Sequence, residues 1–151
     1  MIDIIIREFD ERDAETVSHL IRNNLTFVNS RDYEPAVIDY MCCLFTPDYL
    51  CGISATRTMF VAEENGKVVG TVGLEGDEVC ALYVDPDVHG RRVGERLLQR
   101  IEDFALSCHV HLLHLSASLT AVGFYEKMGY RSQEKEESEL FGPAYIMTKL
   151  L

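Results

Sequence analysis

At 151 residues with 47% apolar side chains, the chain carries enough apolar material for one domain with a buried core, which argues against disorder. Its formal net charge of −11 argues against a general nucleic-acid binder, because such proteins use Lys and Arg to displace counterions from phosphates; it suits a cationic partner, or serves solubility alone. No apolar run approaches the roughly 18 to 20 residues that span a bilayer, MIDIII turns acidic before a signal peptide develops, and the five cysteines (Cys42, Cys43, Cys51, Cys80, Cys108) contain no C-x-x-C, so a cytoplasmic protein with reduced thiols and no membrane partner is expected.

IDIIIREF sets Ile2, Ile4 and Ile6 against Asp3 and Arg7, which fits a strand with one buried face. Asp10 reads as a helix N-cap with Asp13 three residues on, and Ala14, Val17, Leu20 and Ile21 then share a helical face. Glu34 to Phe45 reads as a second helix through Val37, Met41 and Leu44, and Pro47 and Gly52 are expected to break the segment beyond it. TMFVAEE and KVVGTVGLEG flank Asn65-Gly66 and read as a β-hairpin, in which Gly70 and Gly73 hint at a bulge or a close backbone approach. EVCALYV makes a third antiparallel strand that Asp85 and Pro86 end.

The next helix carries Val93, Leu97, Ile101, Phe104, Ala105 and Cys108 on one face, and HVHLLHLSAS returns as a strand, parallel to its predecessor through a right-handed crossover. His109 and His111 then form an H-x-H pair on one strand face, a spacing that can ligate a metal; no third ligand lies near in sequence, and no metal is expected. Ser118 can cap a short helix whose apolar face is Ala121, Phe124, Tyr125 and Met128, with Gly129 ending it in the left-handed conformation. Tyr130 to Glu136 and Ala144 to Leu150 close the chain as two strands, giving one mixed α/β domain over 1–151.

The turn VDPDVHGRRVGERLL carries the strongest electrostatic contrast in the sequence. A strand that ends at Pro86 and turns into a helix leaves first-turn N–H groups without intrahelical partners, free to bind an anion. Gly90 and Gly94 allow close backbone approach, and Arg91, Arg92, Arg96 and Arg100 face Glu95 alone, so a basic island sits in an acidic chain. The alternative is a solvated basic helix face. No G-x-x-x-x-G-K-[ST] and no G-x-G-x-x-G after a strand competes for phosphates.

LYVDPDVHGRRVGERLL, followed by SASLTAVGFYEKMGY, resembles the GNAT superfamily of acyl-CoA-dependent N-acyltransferases, and the order of elements agrees over nearly the whole chain. The resemblance implies a central, mostly antiparallel sheet of about seven strands with helices on both faces, and acetyl-CoA as cosubstrate. The family turn reads [QR]-x-x-G-x-[GA]; here His89, Gly90, Arg91, Arg92, Val93 and Gly94 occupy it, with His89 in place of Gln or Arg and Arg92 in place of the first glycine. By the same resemblance coenzyme A is expected against Leu82, Tyr83 and Val84, the first and last through their main chain, against His89 to Glu95, and against Ser118 and Phe124.

Tyr125 occupies the position of the tyrosine that in the family protonates the departing thiolate. A phenol, with an ordinary pKa of about 10, holds its proton at neutral pH; packing on the Ala121, Phe124, Met128 face is the other role open to it. An alkylamine is neutral only about once in 2,500 molecules at pH 7, so a base or a desolvating pocket must help remove its proton, and Glu75 near the end of its strand is the candidate base, or else an exposed turn residue. NSRDYEP places Tyr33 where the superfamily covers the acceptor, as a substrate contact or as part of a surface turn. The expected activity is acetyl transfer to a primary amine, a small cationic molecule for preference, by direct attack. Three other readings remain: transfer to a protein amine, a non-catalytic coenzyme A-binding regulatory module, and a structural partner domain that pairs through a sheet edge. A homodimer is open.

Overall fold

In the computed structural model, which describes residues 3–151, the chain runs β1 (Ile4–Glu8), α1 (Ala14–Phe27), α2 (Pro35–Leu44), α3 (Pro47–Ser54), β2 (Thr58–Glu64), β3 (Lys67–Glu75), β4 (Glu78–Val84), α4 (Val93–Ser107), β5 (Leu112–Ser118), α5 (Val122–Lys127), β6 (Arg131–Glu136) and β7 (Ala144–Leu150). Ile2, expected on the first strand, lies outside the described residues. The strands form one sheet in the order β1-β2-β3-β4-β5-β7-β6, antiparallel at every pairing except β4 with β5. This is the mostly antiparallel seven-stranded architecture that the family resemblance implies.

Strand alternation builds two cores, one on each side of the sheet. From β2, Met59 and Val61 join Val17, Ile21 and Leu25 of α1 and Leu50 of α3, while Phe60 and Ala62 join Val93, Leu97, Leu98 and Ile101 of α4. Asp10 accepts from the Arg12 N–H at 2.9 Å and Asp13 accepts from the Asp10 N–H at 2.8 Å, a reciprocal cap on the turn that leads into α1. Arg7 of β1 then holds both oxygens of Asp13, at 2.8 and 2.9 Å. Asn65 and Gly66 both adopt positive φ, 51° and 80°, the twist that a two-residue hairpin needs.

Several local expectations are corrected. Pro47 and Gly52 do not break the segment after α2: Pro47 begins α3, with Gly52 inside it, and there Thr46 accepts from the Tyr49 N–H at 3.2 Å while a missing proline N–H costs nothing. Cys108 is exposed just past the end of α4, and His109 sits in the following turn at φ 62°, so β5 begins only at Leu112 and His109 and His111 are not a pair on one strand face. Ser118 ends β5 instead of capping α5, whose N-cap is Ala121. Gly129 does end α5 as expected, at φ 96°. No single helix among the described residues is long and apolar enough to cross a membrane.

Leu97 is fully buried between α4 and the sheet, and its Cδ1 lies 2.8 Å from where a Cβ on Gly70 would sit. Leu97→Ala should therefore lower stability by about 2–5 kcal/mol, read as a lower denaturation midpoint; a loss below about 1 kcal/mol would contradict this seat.

Candidate active site

β4 and β5 pair over two positions only, Glu78 with His114 and Val79 with Leu115. Beyond Val79 the strands part. On its other side β4 stays paired with β3 to Val84, through a bulge where Ala81 takes φ 51°. The opening therefore exposes one side of the β4 backbone from Cys80 to Val84. Of the residues expected along it, Leu82 and Val84 pack with the α4 core, and Tyr83 turns to the opposite core, edge-to-face with Phe45 at 6.1 Å.

The turn from β4 to α4 closes one end of this opening. Gly90 and Arg92 take positive φ, 87° and 62°, and the first helical bond is Arg96 N–H to Arg92 C=O at 3.1 Å. The N–H groups of Val93, Gly94 and Glu95 thus lack intrahelical partners and carry the positive end of the helix dipole. A Cβ on Gly94 would lie 3.4 Å from Phe124 Cζ, so this glycine is where α5 meets the start of α4. The basic island is thinner than the sequence count implies. Arg91 pairs with Glu64 at 3.0 Å, Arg92 is exposed with Glu95 3.9 Å away, and Arg100 lies over the Phe60 ring at 4.4 Å. The His89 ring is turned back, its Nε2 donating to the Val84 C=O at 2.9 Å.

Tyr125 is 7% exposed, held edge-to-face between Phe124 at 5.3 Å and Tyr130 at 5.7 Å. Its hydroxyl has no hydrogen-bond partner among the described residues, and burial pushes its pKa above the ordinary phenol value, with Tyr83 and Cys80 adding to the effect. Tyr130 is fixed in turn: its hydroxyl donates to buried Glu102 at 2.9 Å, and Lys149 pairs with the same carboxylate at 3.0 Å. Cys80, the first residue of the open stretch, has its thiol pushed up to about 11, chiefly by burial.

The remaining candidates stand on other elements. Glu75, half-exposed at the end of β3, accepts from Arg57 Nε at 3.0 Å. Ser118 is partly buried, its C=O taking the Ala121 N–H at 2.9 Å. The Tyr33 hydroxyl donates to the Pro143 C=O at 2.7 Å and accepts from the Leu119 N–H at 2.9 Å, while Asp32 accepts from Thr120 at 2.8 Å. These bonds strap the α1–α2 connection across the end of β5. Sequence reasoning missed Asn24 of α1, which donates through Nδ2 to the Val84 C=O at 2.7 Å; a polar residue on a mostly apolar helical face was the available signal. Cavities of about 190 and 170 Å³ lie at Glu8, Arg57 and Met59 and between α4 and β7, where Glu95 lines the second, each smaller than a usual ligand pocket.

The family model for the acetyltransferase (GNAT) domain matches residues 55–132, which takes in β2 through α5 and so both the parted strands and the turn. The peptidyl-lysine N-acetyltransferase YjaB of Salmonella typhimurium is 33% identical over 92 residues, 55% of this chain and 56% of that protein. The chain spans about half the length of the curated relatives it matches. A GCN5-related N-acetyltransferase structure from Rhodopseudomonas palustris superposes with a TM-score of 0.92 at 23% identity, covering 97% of this chain and 95% of that one. The PaiA N-acetyltransferase of Thermoplasma acidophilum, solved with coenzyme A, gives 0.85 at 19% identity over 99% of each chain. Both structural likenesses are of fold.

Thiol chemistry tests the burial of this centre. With an alkylating agent at pH 8, the exposed Cys43 and Cys108 should react first and Cys80 at least tenfold more slowly, since the thiolate is the nucleophile; Cys80 reacting as fast as Cys108 would contradict it.

Proposed function

Since the chain belongs to the GNAT acetyltransferase family, we propose that it transfers an acetyl group from acetyl-CoA to a primary amine. The observation that carries this reading is the parting of β4 from β5, which leaves a strand backbone from Cys80 to Val84 to hold an extended, amide-bearing arm. The coenzyme A complex of the similar Thermoplasma fold supports it. The pyrophosphate falls to the turn from His89 to Glu95, where the free N–H groups of Val93, Gly94 and Glu95 are the donors. Gly90 gives that turn its positive φ, Arg92 and Arg91 supply charge, and His89 ties the turn to β4. Ser118 and Phe124 flank the arm from the β5–α5 side.

The amine attacks the thioester carbonyl carbon directly, the C–S bond breaks, the thiolate takes a proton from the Tyr125 hydroxyl, and the proton that the nitrogen sheds on becoming an amide passes through solvent to restore the phenol. Burial suits Tyr125 to this role because it keeps the phenol protonated through the neutral and mildly alkaline range. Glu75 takes the proton from the ammonium form of the acceptor, directly or through water, after exchanging its contact with Arg57. Tyr33 walls the acceptor side. The acceptor is a cationic small-molecule amine, as the net charge of −11 favours; the peptidyl-lysine specificity of the Salmonella relative supports a protein lysine as the second reading.

The test is thiol release from acetyl-CoA across a panel of polyamines, arylalkylamines and lysine peptides. Tyr125→Phe should lower kcat about 10²-fold while acetyl-CoA binding stays within twofold, and Glu75→Gln should lower kcat/KM for the amine alone. In the unsubstituted protein kcat/KM should rise with pH from 6 to 9 as the amine deprotonates, with no fall from Tyr125 in that range because its pKa is raised. Full activity in Tyr125→Phe would remove the assigned acid, and acetyl-CoA binding with no thiol release for any amine would favour a non-catalytic coenzyme A module.

A further inference from the structure

The arrangement around Val84 goes one step beyond that reading and rests on it. Asp85 N–H bonds to the Val69 C=O at 2.8 Å, and Gly70 stands opposite Val84, which makes Gly70–Val84 a non-bonded pair of the antiparallel ladder. Val84 therefore turns its own N–H and C=O away from β3, toward the opening. Its carbonyl is already occupied there by two donors, Asn24 Nδ2 at 2.7 Å and His89 Nε2 at 2.9 Å, one for each lone pair. An arm laid along β4 finds no acceptor at that position.

Asn24 supplies one. Its Nδ2 also donates to the Leu20 C=O at 3.1 Å, so both amide hydrogens are used and the carboxamide is fixed in orientation. Its Oδ1 has no partner among the described residues, although Asn24 is only 5% exposed. No buried side-chain polar atom of the described residues is both sealed and unpaired, so Oδ1 keeps contact with solvent. Oδ1 shares its carboxamide with the Nδ2 that lies 2.7 Å from the Val84 carbonyl oxygen, which keeps it within a few ångströms of that carbonyl. We propose that Asn24 is a binding residue for the cofactor's pantetheine arm, accepting one of its amide N–H groups through Oδ1 in place of the Val84 carbonyl that Nδ2 occupies.

The test titrates acetyl-CoA, and separately 3′-phospho-ADP, which has the nucleotide handle and lacks the arm, into the unsubstituted protein and Asn24→Leu. The expected result is acetyl-CoA binding weakened about three- to tenfold, the effect of one such hydrogen bond, with 3′-phospho-ADP unchanged within twofold. Unchanged acetyl-CoA binding, or an equal loss for both ligands, overturns the inference. If Asn24→Leu does not fold, Asn24→Ser, which fits the same space, is read by the same criteria. Failure of the unsubstituted protein to bind either ligand would instead remove the coenzyme A reading itself, and this inference with it.

Discussion

Two parallel strands that pair for two residues and then separate leave one strand with backbone donors and acceptors that water or a ligand must satisfy, and the rest of this molecule is arranged around that separation between β4 and β5. The bulge at Ala81, with its positive φ, bends β4 while the β3 side of the strand stays paired. One end of the gap receives the start of α4, whose first-turn N–H groups are unpaired, and its flank receives α5 with Tyr125. From the opposite layer α1 reaches in through Asn24. A backbone that would complete a sheet elsewhere is here left unpaired on one side.

Close packing holds the gap open. Gly70 lets the side chain of Leu97 sit against β3, and Gly94 lets Phe124 rest on the first turn of α4; a side chain at either position would push a helix away from the opening. Behind Tyr125, the buried carboxylate of Glu102 takes both the Tyr130 hydroxyl and the Lys149 ammonium, so the ring on which Tyr125 leans cannot drift. Such a buried charge is tolerated only when paired and hydrogen-bonded. It ties α4 to the residue that leads into β6 and to β7. Tyr33 crosses Gly142, where φ is 73° and a Cβ would lie 2.8 Å from the tyrosine ring, and bonds to both neighbouring segments.

The sheet was legible because its signals are local. Asn65-Gly66 marks a hairpin by the φ values it permits, and the spacing of Val93, Leu97, Ile101 and Ala105 marks the buried face of α4 by itself. α3 was illegible because Pro47 punctuates in two ways, ending a helix or starting one, and only the Thr46 cap decides between them. Of the candidate site, the places of Gly90, Gly94 and Tyr125 were visible in advance because glycines and a tyrosine at fixed spacing are local signals. What the sequence hides are contacts between distant segments: Asn24 to Val84 across 60 residues, Arg91 to Glu64, and His89 turned back on β4. Counting arginines overstated the free charge of the turn for that reason.

The most direct test of the whole account is amide hydrogen exchange with and without acetyl-CoA, followed along β4 and the start of α4. Ligand that lies in the gap should slow exchange at Leu82 and Val84 and at Val93, Gly94 and Glu95, and leave the β1–β2 edge unchanged. Protection confined to other segments, or none with the ligand demonstrably bound, would contradict the assignment of the parted strands as the cofactor site.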